Sequence, residues 1–371
     1  MRTEWQSRAI GDVCTVVAGQ SPEGKFYNSE RRGLPFYQGK KEFGETFLGA
    51  PTTWTTHITK VAREGDIVMS VRAPVGPVNV ATDEICIGRG LAAIRGGADI
   101  DRDFLFYQLL HLQPEIAGKE GAVFASINKS DIEAIPIVLA SLAEQRRIVA
   151  LLDEAFAGLA TATANAEKNH QNSRALFESH LQSVFTRRGK GWVVTTVDRI
   201  STNLDSERVP ITKSLRTSGA YPYYGASGIV DYVKDYIFEG DALLVSEDGA
   251  NLLMRSTPVA FSVTGQYWVN NHAHVLKFDH MATQRFVEFY LESITLDDYV
   301  TGAAQPKLTQ KALNSILVSI PNSVDEQAAI VDGLESLHEE SQRLEHIYER
   351  KLAELKALKK SLLHEAFTGN L

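Results

Sequence analysis

Residues 19–26 come close to a motif that binds nucleotides. Their order and spacing fall within one residue of a phosphate-binding P-loop. Phe26, however, stands where such a loop needs the serine or threonine that binds Mg²⁺, and Pro22 and Glu23 suit an anion cradle poorly. A glycine-rich surface loop is therefore the preferred interpretation.

His272 and His274 are two residues apart, so on a strand they would share one face and could in principle hold a metal. No third ligand with a matching spacing accompanies them, which favours hydrogen bonding and predicts no metal or cofactor site in this chain. The sequence also lacks an amino-methyltransferase motif, a G-x-S-x-G nucleophile elbow and an H-E-x-x-H zinc motif. An enzyme with scattered catalytic residues, a nuclease or a methyltransferase, remains an alternative.

Polar and aromatic clusters make better sense as a surface that reads nucleic acid. Amides and cations form bidentate hydrogen bonds with base edges, while hydroxyls, lysines and backbone N–H groups hold phosphates. Such residues occur at 38–41 in the first half of the chain, and at 223–228 and 270–272 in the second. Ordinary loop polarity would explain any single one of them equally well.

An internal duplication defines the elements that must position these clusters. Residues 144–186 return without a gap as residues 326–368, and twelve of the 43 aligned positions are identical. Ser141 precedes Glu144 by three residues, the spacing of a capping box, which predicts that the first helix begins there.

Both copies are predicted to be long helices, each the obvious partner of the other, because their apolar residues follow heptad spacing. Ser341 and Lys351 interrupt the second seam, and small residues line the middle of the first. At 1.5 Å per residue such a helix is roughly 65 Å long, so a pair would act as a ruler; two core helices of a compact domain are the alternative. The predicted seam includes Leu152, Leu159, Leu176, Leu334, Leu344, Leu355 and Leu358.

The segments that precede the helices also repeat one plan. Residues 239–246 echo residues 64–70 as a turn and a strand, and the helical pattern at 286–296 echoes the one at 103–112. We predict an α+β fold with a pseudo-twofold internal repeat, in which β-rich mixed domains at 1–140 and 189–322 alternate with helices at 141–188 and 323–371. Most of the remaining insert sequence differs between the halves.

Net charge and cysteine content limit the possible functions. A net charge of −8 disfavours a free-standing nucleic-acid binder. Cations concentrate in the first insert, however, and a partner subunit would relax the objection. Cys14 and Cys86 lie far apart, which is typical of unpaired thiols in a reducing cytosol. We find no signal-peptide core and no apolar run long enough to span a membrane.

Several motifs resemble the DNA-specificity subunit of type I restriction-modification enzymes. The helix-leading Glu-Gln-x-x-Ile at 144–148 and 326–330 carries the resemblance together with the runs at 302–308, 221–229, 35–40, 70–76 and 88–91. The similarity covers nearly the full chain, and the duplicated architecture, found independently, is that of the family.

The resemblance implies that each insert is a target recognition domain that reads one half of a split DNA site. The two helices would pair as an antiparallel coiled coil that acts as a spacer. The chain would have no catalytic activity and no cofactor of its own. It would recruit two methyltransferase subunits that use S-adenosylmethionine, and through them restriction or translocase subunits that use ATP and Mg²⁺. Two unlike inserts predict an asymmetric site.

The predicted DNA contacts are Gln38, Lys40, Lys41, Arg72, Arg89 and Lys129 in the first insert, and Tyr224, Ser227, Asn251, Asn271, His272 and Lys307 in the second. Lys129 and Lys307 are predicted to hold phosphate rather than to read bases. A subunit of a type IIB enzyme and a coiled-coil scaffold that binds only proteins are the other interpretations. The expected location is the cytoplasm.

Overall fold

A computed structural model describes residues 5–118, 126–187, 189–302 and 305–371. Arg188, Ala303 and Ala304, which belong to the patterns above, and residues 1–4 lie outside the described part. The chain divides into two units, one made of Met1–Glu167 with Arg350–Leu371 and the other of Lys168–Glu349. Each long helix therefore contributes one part to each unit.

The first unit takes its strands from the N-terminal third of the chain. They are β1 (Gln6–Ala9), β2 (Cys14–Ala18), β3 (Tyr27–Asn28), β4 (Leu34–Tyr37), β5 (Trp54–Thr55), β6 (Val61–Ala62), β7 (Ile67–Ser70), β8 (Val78–Val80), β9 (Ile85–Ile87), β10 (Leu91–Gly96) and β11 (Pro136–Leu139). The helices that begin in this part of the chain are α1 (Ile10–Val13), α2 (Arg102–Ile116), α3 (Lys129–Glu133) and the long α4 (Leu142–Thr186).

Three sheets organise the first unit, in the strand orders β2-β10-β7-β8, β3-β5-β4-β9-β6 and β1-β11. All four residues of β7 are buried, which explains why this strand is a continuous apolar run rather than an alternating pattern. The core packs β7 and β10 against Phe104, Leu105 and Leu109 of α2. Cys14 and Cys86 are free thiols, as predicted.

The second unit is built mainly from residues 192–321. Its strands are β12 (Trp192–Thr196), β13 (Thr202–Asn203), β14 (Ser218–Gly225), β15 (Gly228–Val233), β16 (Phe238–Glu239), β17 (Ala242–Ser246), β18 (Ala260–Val263), β19 (Gln266–Val269), β20 (Ala273–Lys277), β21 (Val300–Thr301), β22 (Lys307–Leu308) and β23 (Leu317–Pro321). Its helices are α5 (Val197–Ile200), α6 (Asn251–Met254), α7 (Met281–Ser293), α8 (Gln310–Asn314) and part of the long α9 (Val324–Thr368).

The two units repeat one topology. The sheet β13-β20-β17-β18 corresponds strand by strand to β2-β10-β7-β8. In each unit a parallel pair, β4 with β9 or β14 with β19, interrupts an otherwise antiparallel arrangement. The turns before β7 and β17 place Gly65 at φ +83° and Gly240 at φ +95°, a conformation that favours glycine. These features confirm the predicted α+β class and the internal repeat.

The long helices pair antiparallel within each unit. In the first unit, Ile148 and Leu152 near the start of α4 share a core with Leu363 and Phe367 near the end of α9. In the second, Leu181 and Phe185 near the end of α4 share a core with residues 331 and 334 near the start of α9. Hydroxyl caps begin both helices, because the N–H of residue 144 donates to Ser141 Oγ and that of residue 326 to Ser323 Oγ.

The predicted seam is wrong at one position of α4. Leu176 is 54% exposed, and the packed face passes instead through Ser173, Phe177 and Leu181. Two successive steps of four residues follow the 3.6-residue period of a straight helix, and these steps carry Leu176 away from the partner helix.

The seam of α9 is displaced by one residue along one of its two stripes. Leu358 is 48% exposed. Leu352 and Lys359, each one residue after the predicted seam positions 351 and 358, are half-buried instead. Ser341, which seemed to interrupt the seam, is buried, and its Oγ donates to the backbone oxygen of Ser173. The remaining seam leucines are buried or half-buried, namely Leu152, Leu159, Leu334, Leu344 and Leu355.

A buried glutamine follows the start of each long helix. Gln145 is fully buried, donates to the backbone oxygens of Asp99 and Ala140 at 2.9 and 2.8 Å, and accepts from the N–H of Asp101 at 2.7 Å. Gln327 donates to the oxygen of residue 321 at 2.7 Å and accepts from the Thr283 hydroxyl at 2.6 Å. The identity of these glutamines in the duplication therefore has a structural cause: Gln145 joins α4 to the residues that lead into α2, and Gln327 joins α9 to α7.

Replacing Gln145 with alanine is expected to lower the free energy of unfolding of the first unit by about 1–3 kcal/mol, because one buried and two partly buried backbone groups lose their partner. Gln171→Ala, at an exposed position of the same helix, is the matched control and should change stability by less than about 0.5 kcal/mol. Urea denaturation followed by circular dichroism measures both, and equal stabilities would contradict this role of Gln145.

Candidate nucleic-acid interface

Three strand ends meet at one place in the first unit. The N–H of Gly88 after β9 donates to the oxygen of Tyr37 in β4 at 2.8 Å, and the N–H of Val71 after β7 donates to the oxygen of Gly90 at 2.9 Å. The N–H of Ile127 then donates to the oxygen of Val71 at 3.0 Å. This frame gathers the residues that we name the first strand-end surface: Gln38, Lys40, Lys41, Arg72 and Arg89.

The second unit reproduces this frame bond for bond. The N–H of Asn270 donates to the oxygen of Tyr224 at 3.0 Å, that of Glu247 to His272 at 2.9 Å, and that of Leu308 to Glu247 at 2.8 Å. An isolated bridge between Asp248 and Lys307 matches the one between Arg72 and Ser126. The second strand-end surface, defined by this frame, comprises Ser227, Asp248, Asn271, His272 and Lys307.

Close packing fixes the glycines of the first frame. A Cβ on Gly90 would lie 2.3 Å from the backbone oxygen of Gln38, so only glycine permits this approach. The P-loop-like run supports the same turn, because Ser21 Oγ accepts from the N–H of Arg89 at 3.2 Å and the N–H of Gly19 donates to the oxygen of residue 91 at 2.9 Å. The run at 19–26 thus buttresses Arg89. Sequence reasoning missed this role of Ser21, because its partner lies 68 residues further along the chain.

The first strand-end surface is cationic. Its five residues are exposed, and within the described part of the chain none of their side chains forms a hydrogen bond or an ion pair. Lys129 is different, because its Nζ lies 3.4 Å from Glu133 Oε1. Unpaired guanidinium, ammonium and amide groups on a rigid frame can bind phosphates and the acceptor atoms of bases.

On the second strand-end surface, carboxylates pair with the basic side chains. Lys307 Nζ lies 3.0 Å from Glu247 Oε1, and His272 Nδ1 lies 2.8 Å from Asp248 Oδ2. Ser227 and Asn271 are exposed, and their side chains have no partner among the described residues. Hydroxyl and amide groups, rather than free charge, are therefore what this surface offers to a ligand.

Two predicted contacts of the second insert have structural roles. Asn251 Nδ2 donates to the oxygen of Thr257, and its Oδ1 accepts from the Thr257 N–H and from the hydroxyl of Ser256, so this side chain closes a loop. The ring of Tyr224 packs against Tyr267 and residue 261 at 5.9 Å, and burial raises its pKa. Asn251 thus stabilises a loop and Tyr224 packs in the core. Contact of either residue with a ligand stays a prediction.

A buried charge network lies beside the second strand-end surface. His274 Nε2 lies 2.8 Å from the Leu308 carbonyl oxygen, which can only accept, so Nε2 carries a proton; Nδ1 lies 2.5 Å from Asp205 Oδ2. Glu247 is paired with Arg208 at 2.7 Å and with Lys307. His274 and the two carboxylates have the spacing of a possible metal group. Both ring nitrogens and Glu247 already have protein partners, however, so we interpret the group as a structural network.

Ionised carboxylates stabilise this network. Burial alone would raise the pKa of Asp205, but the hydrogen bond and charge of His274, the Val275 N–H and Arg208 together hold that pKa below its usual value. Burial likewise opposes ionisation of Glu247, yet hydrogen bonds from Arg208 and Lys307 lower its pKa. Both groups are thus charged at neutral pH, and Lys307 has an anionic partner within the protein.

The described helices include none that is both long and apolar enough to cross a lipid bilayer. The exposed polar and basic side chains of the two strand-end surfaces suit the recognition of a polar, anionic ligand.

Comparison with known proteins places this architecture. The family model for the type I restriction modification DNA specificity domain matches residues 2–169 and again residues 189–355. The putative type I restriction enzyme MjaX specificity subunit of Methanocaldococcus jannaschii is 43% identical over 149 residues, which span 39% of this chain and 35% of that protein. The aligned part is thus about a third of that relative.

Two solved structures share the fold. One, from work on the structural basis of complex assembly and conformational transition of the type I R-M system, aligns with a TM-score of 0.82 at 17% identity over 100% of this chain and 99% of that one. The HsdS subunit from Thermoanaerobacter tengcongensis aligns with a TM-score of 0.64 at 18% identity over 100% and 98% of the two chains. With two matches to the family model covering most of its length, this chain belongs to the type I restriction modification DNA specificity family.

Proposed function

We propose that this chain is a DNA-recognition subunit in which each unit reads one half of a bipartite site in duplex DNA. The observation that carries the proposal is the repeated frame of three backbone hydrogen bonds, which presents unlike side chains in the two units. Because backbone groups build the frame, the same scaffold can present different side chains to a base pair. Family membership supports DNA as the ligand.

The two half-sites are expected to differ. The first surface offers Arg72, Arg89 and Gln38, and arginine pairs best with guanine and glutamine with adenine in the major groove. The second offers Ser227 and Asn271, with Lys307 and His272 paired to carboxylates. Different side chains on one frame therefore support an asymmetric recognition sequence.

Partner subunits complete the proposed activity. We assign methylation to two methyltransferase subunits that use S-adenosylmethionine, and cleavage to restriction subunits that use ATP and Mg²⁺, with this chain as a non-catalytic component. In each unit, the paired parts of α4 and α9 offer the partners a helical surface. An overall charge of −8 also favours DNA binding as part of a complex, because partner cations would add to the few free cations here.

Co-expression of this chain with its methyltransferase, followed by modification-sensitive sequencing of the host DNA, tests the function. The expected result is one bipartite motif with two unlike halves. In band-shift assays of the same complex, the logarithm of the binding constant should fall linearly with the logarithm of salt concentration. Methylation without a bipartite motif, or binding that does not respond to salt, would contradict the proposal.

A further inference from the structure

The hairpin formed by β14 and β15 presents an apolar surface in the second unit. On β15, Ile229, Val230 and Tyr232 are 47%, 55% and 50% exposed, and of its six residues only Val233 is buried. β-branched and aromatic residues on a strand normally pack against neighbours. A contiguous exposed group of them marks a surface that binds something.

A β-bulge explains why two successive residues are exposed. The register of the hairpin shifts between Tyr223 and Tyr224, which pair with Asp231 and Ile229, so Val230 is the extra residue. Bulges re-aim side chains that would otherwise alternate between the two faces of a sheet. Val230 also covers Gly225, where a Cβ would lie only 2.9 Å from Val230 Cγ1. The backbone bulge therefore fixes the positions of the exposed residues Ile229 and Val230.

The tip of the hairpin is anchored to the second strand-end surface. Gly225 pairs with Gly228, which leaves a turn of two residues, Ala226 and Ser227. The hydroxyl of Ser246, the last residue of β17, donates to the Ala226 oxygen, and Asn270 holds the strand through its bond to residue 224. The apolar residues thus continue the surface that carries Ser227 and Asn271.

Arg216, which lies just before β14, neutralises the charge of Asp231 on this hairpin. Asp231, between the exposed residues, lies 3.2 Å from Arg216 Nη1, and the Arg216 guanidinium stacks over the ring of Tyr223 at 4.3 Å. The pKa of Asp231 is lowered, first by the Tyr232 N–H and then by Arg216. The hairpin therefore approaches a ligand mainly through apolar contacts.

We propose that this hairpin enters the major groove and that Ile229 and Val230 contact the 5-methyl group of thymine, so the half-site read by the second unit contains thymine. The major groove admits a two-stranded β-ribbon, and the thymine methyl is the apolar group that bases display there. This inference rests on the proposed function and adds the base class that one unit selects. Tyr232, further from the tip, would contact the sugar-phosphate backbone.

Deoxyuridine substitution tests the inference, because uracil differs from thymine only by the methyl group. After the site has been mapped, the full chain with its methyltransferase is titrated with duplexes that carry deoxyuridine in the second unit's half-site. We expect the substitution to weaken binding by about 4- to 15-fold, the effect of burying one methyl group or two. The double variant Ile229→Ser/Val230→Ser should bind the two duplexes equally.

Val194→Ser, at another exposed valine of the second unit, is the matched control and should keep the wild-type preference for thymine. Equal binding of both duplexes by the wild type, or a mapped half-site without thymine on either strand, would overturn the inference. The proposed function would still stand in that case, provided that binding remained site-specific and dependent on salt. If the double variant lost the methyltransferase but retained the thymine preference, the hairpin would be a protein-docking surface. Failure to bind any duplex would overturn the function itself.

Discussion

Replacing Arg72 and Arg89 together with alanine is expected to weaken specific DNA binding by about 30- to 25,000-fold, since each arginine that pairs with a base contributes about 1–3 kcal/mol. Both guanidinium groups are exposed, neither has a partner within the described chain, and backbone bonds position both strand ends. Band-shift titration of the complex with its mapped site measures the loss. Discrimination should relax only in the half-site of the first unit.

Arg102→Ala is the matched control for the arginine pair. Arg102 lies at the start of α2, lines a cavity with the residues that lead into β7, and is paired with Asp103 at 2.8 Å. Its removal takes away one positive charge, where the double variant loses two, at the end of β7 opposite Arg72, so specific binding should change by less than about threefold. Comparable losses in the control and the double variant would show that general charge, rather than the strand-end surface, determines affinity.

Replacing Leu355 with aspartate is expected to destabilise the first unit by about 2–4 kcal/mol and to abolish assembly with the methyltransferase. Leu355 is half-buried and lines a cavity of about 560 Å³ together with Phe156, Leu159 and Leu352, so the substitution would place a carboxylate among these apolar side chains. Unfolding measurements and co-purification with the methyltransferase test the two parts of this prediction. The second unit should remain folded.

Leu358→Asp is the control for that substitution. Leu358 is 48% exposed and lies three residues further along the same helix, so the same chemical change there should be nearly neutral for stability. If both variants lost the methyltransferase but stayed folded, α9 would act as a docking surface for the partner rather than as a packed spacer. Unchanged methylation by Leu355→Asp would remove the spacer interpretation.

Local patterns gave much of the fold. The strand at 67–71, the aromatic helix at 103–112 and the helix start at Ser141 follow from buried runs, periodicity and capping, which depend on neighbours within a few residues. Their counterparts in the structure are β7, α2 and α4. The duplication predicts the order of strands and helices in the second half, because a second copy with the same spacing is expected to adopt the same fold.

Long-range pairing limited the prediction of the site. The ion pair of Lys307 with Glu247 and the role of Ser21 beneath Arg89 depend on strand register, which brings together residues 60 or 68 positions apart. The predicted burial of Leu176 and Leu358 is wrong for a different reason. A strict heptad places both residues in the seam, whereas the packed face of each helix shifts by one residue. The exposed apolar residues of β15 also gave no local signal, since a bulge decides which way they point.

The frame of backbone bonds at each strand end has a consequence for the evolution of such proteins. The frame itself consists of main-chain hydrogen bonds and, in the first unit, needs glycine at residue 90, while the exposed side chains of the first strand-end surface have no partner within the described chain. Mutations at the tips are therefore nearly neutral for folding and free to drift. A lineage can acquire a new target preference in small steps without passing through unstable intermediates.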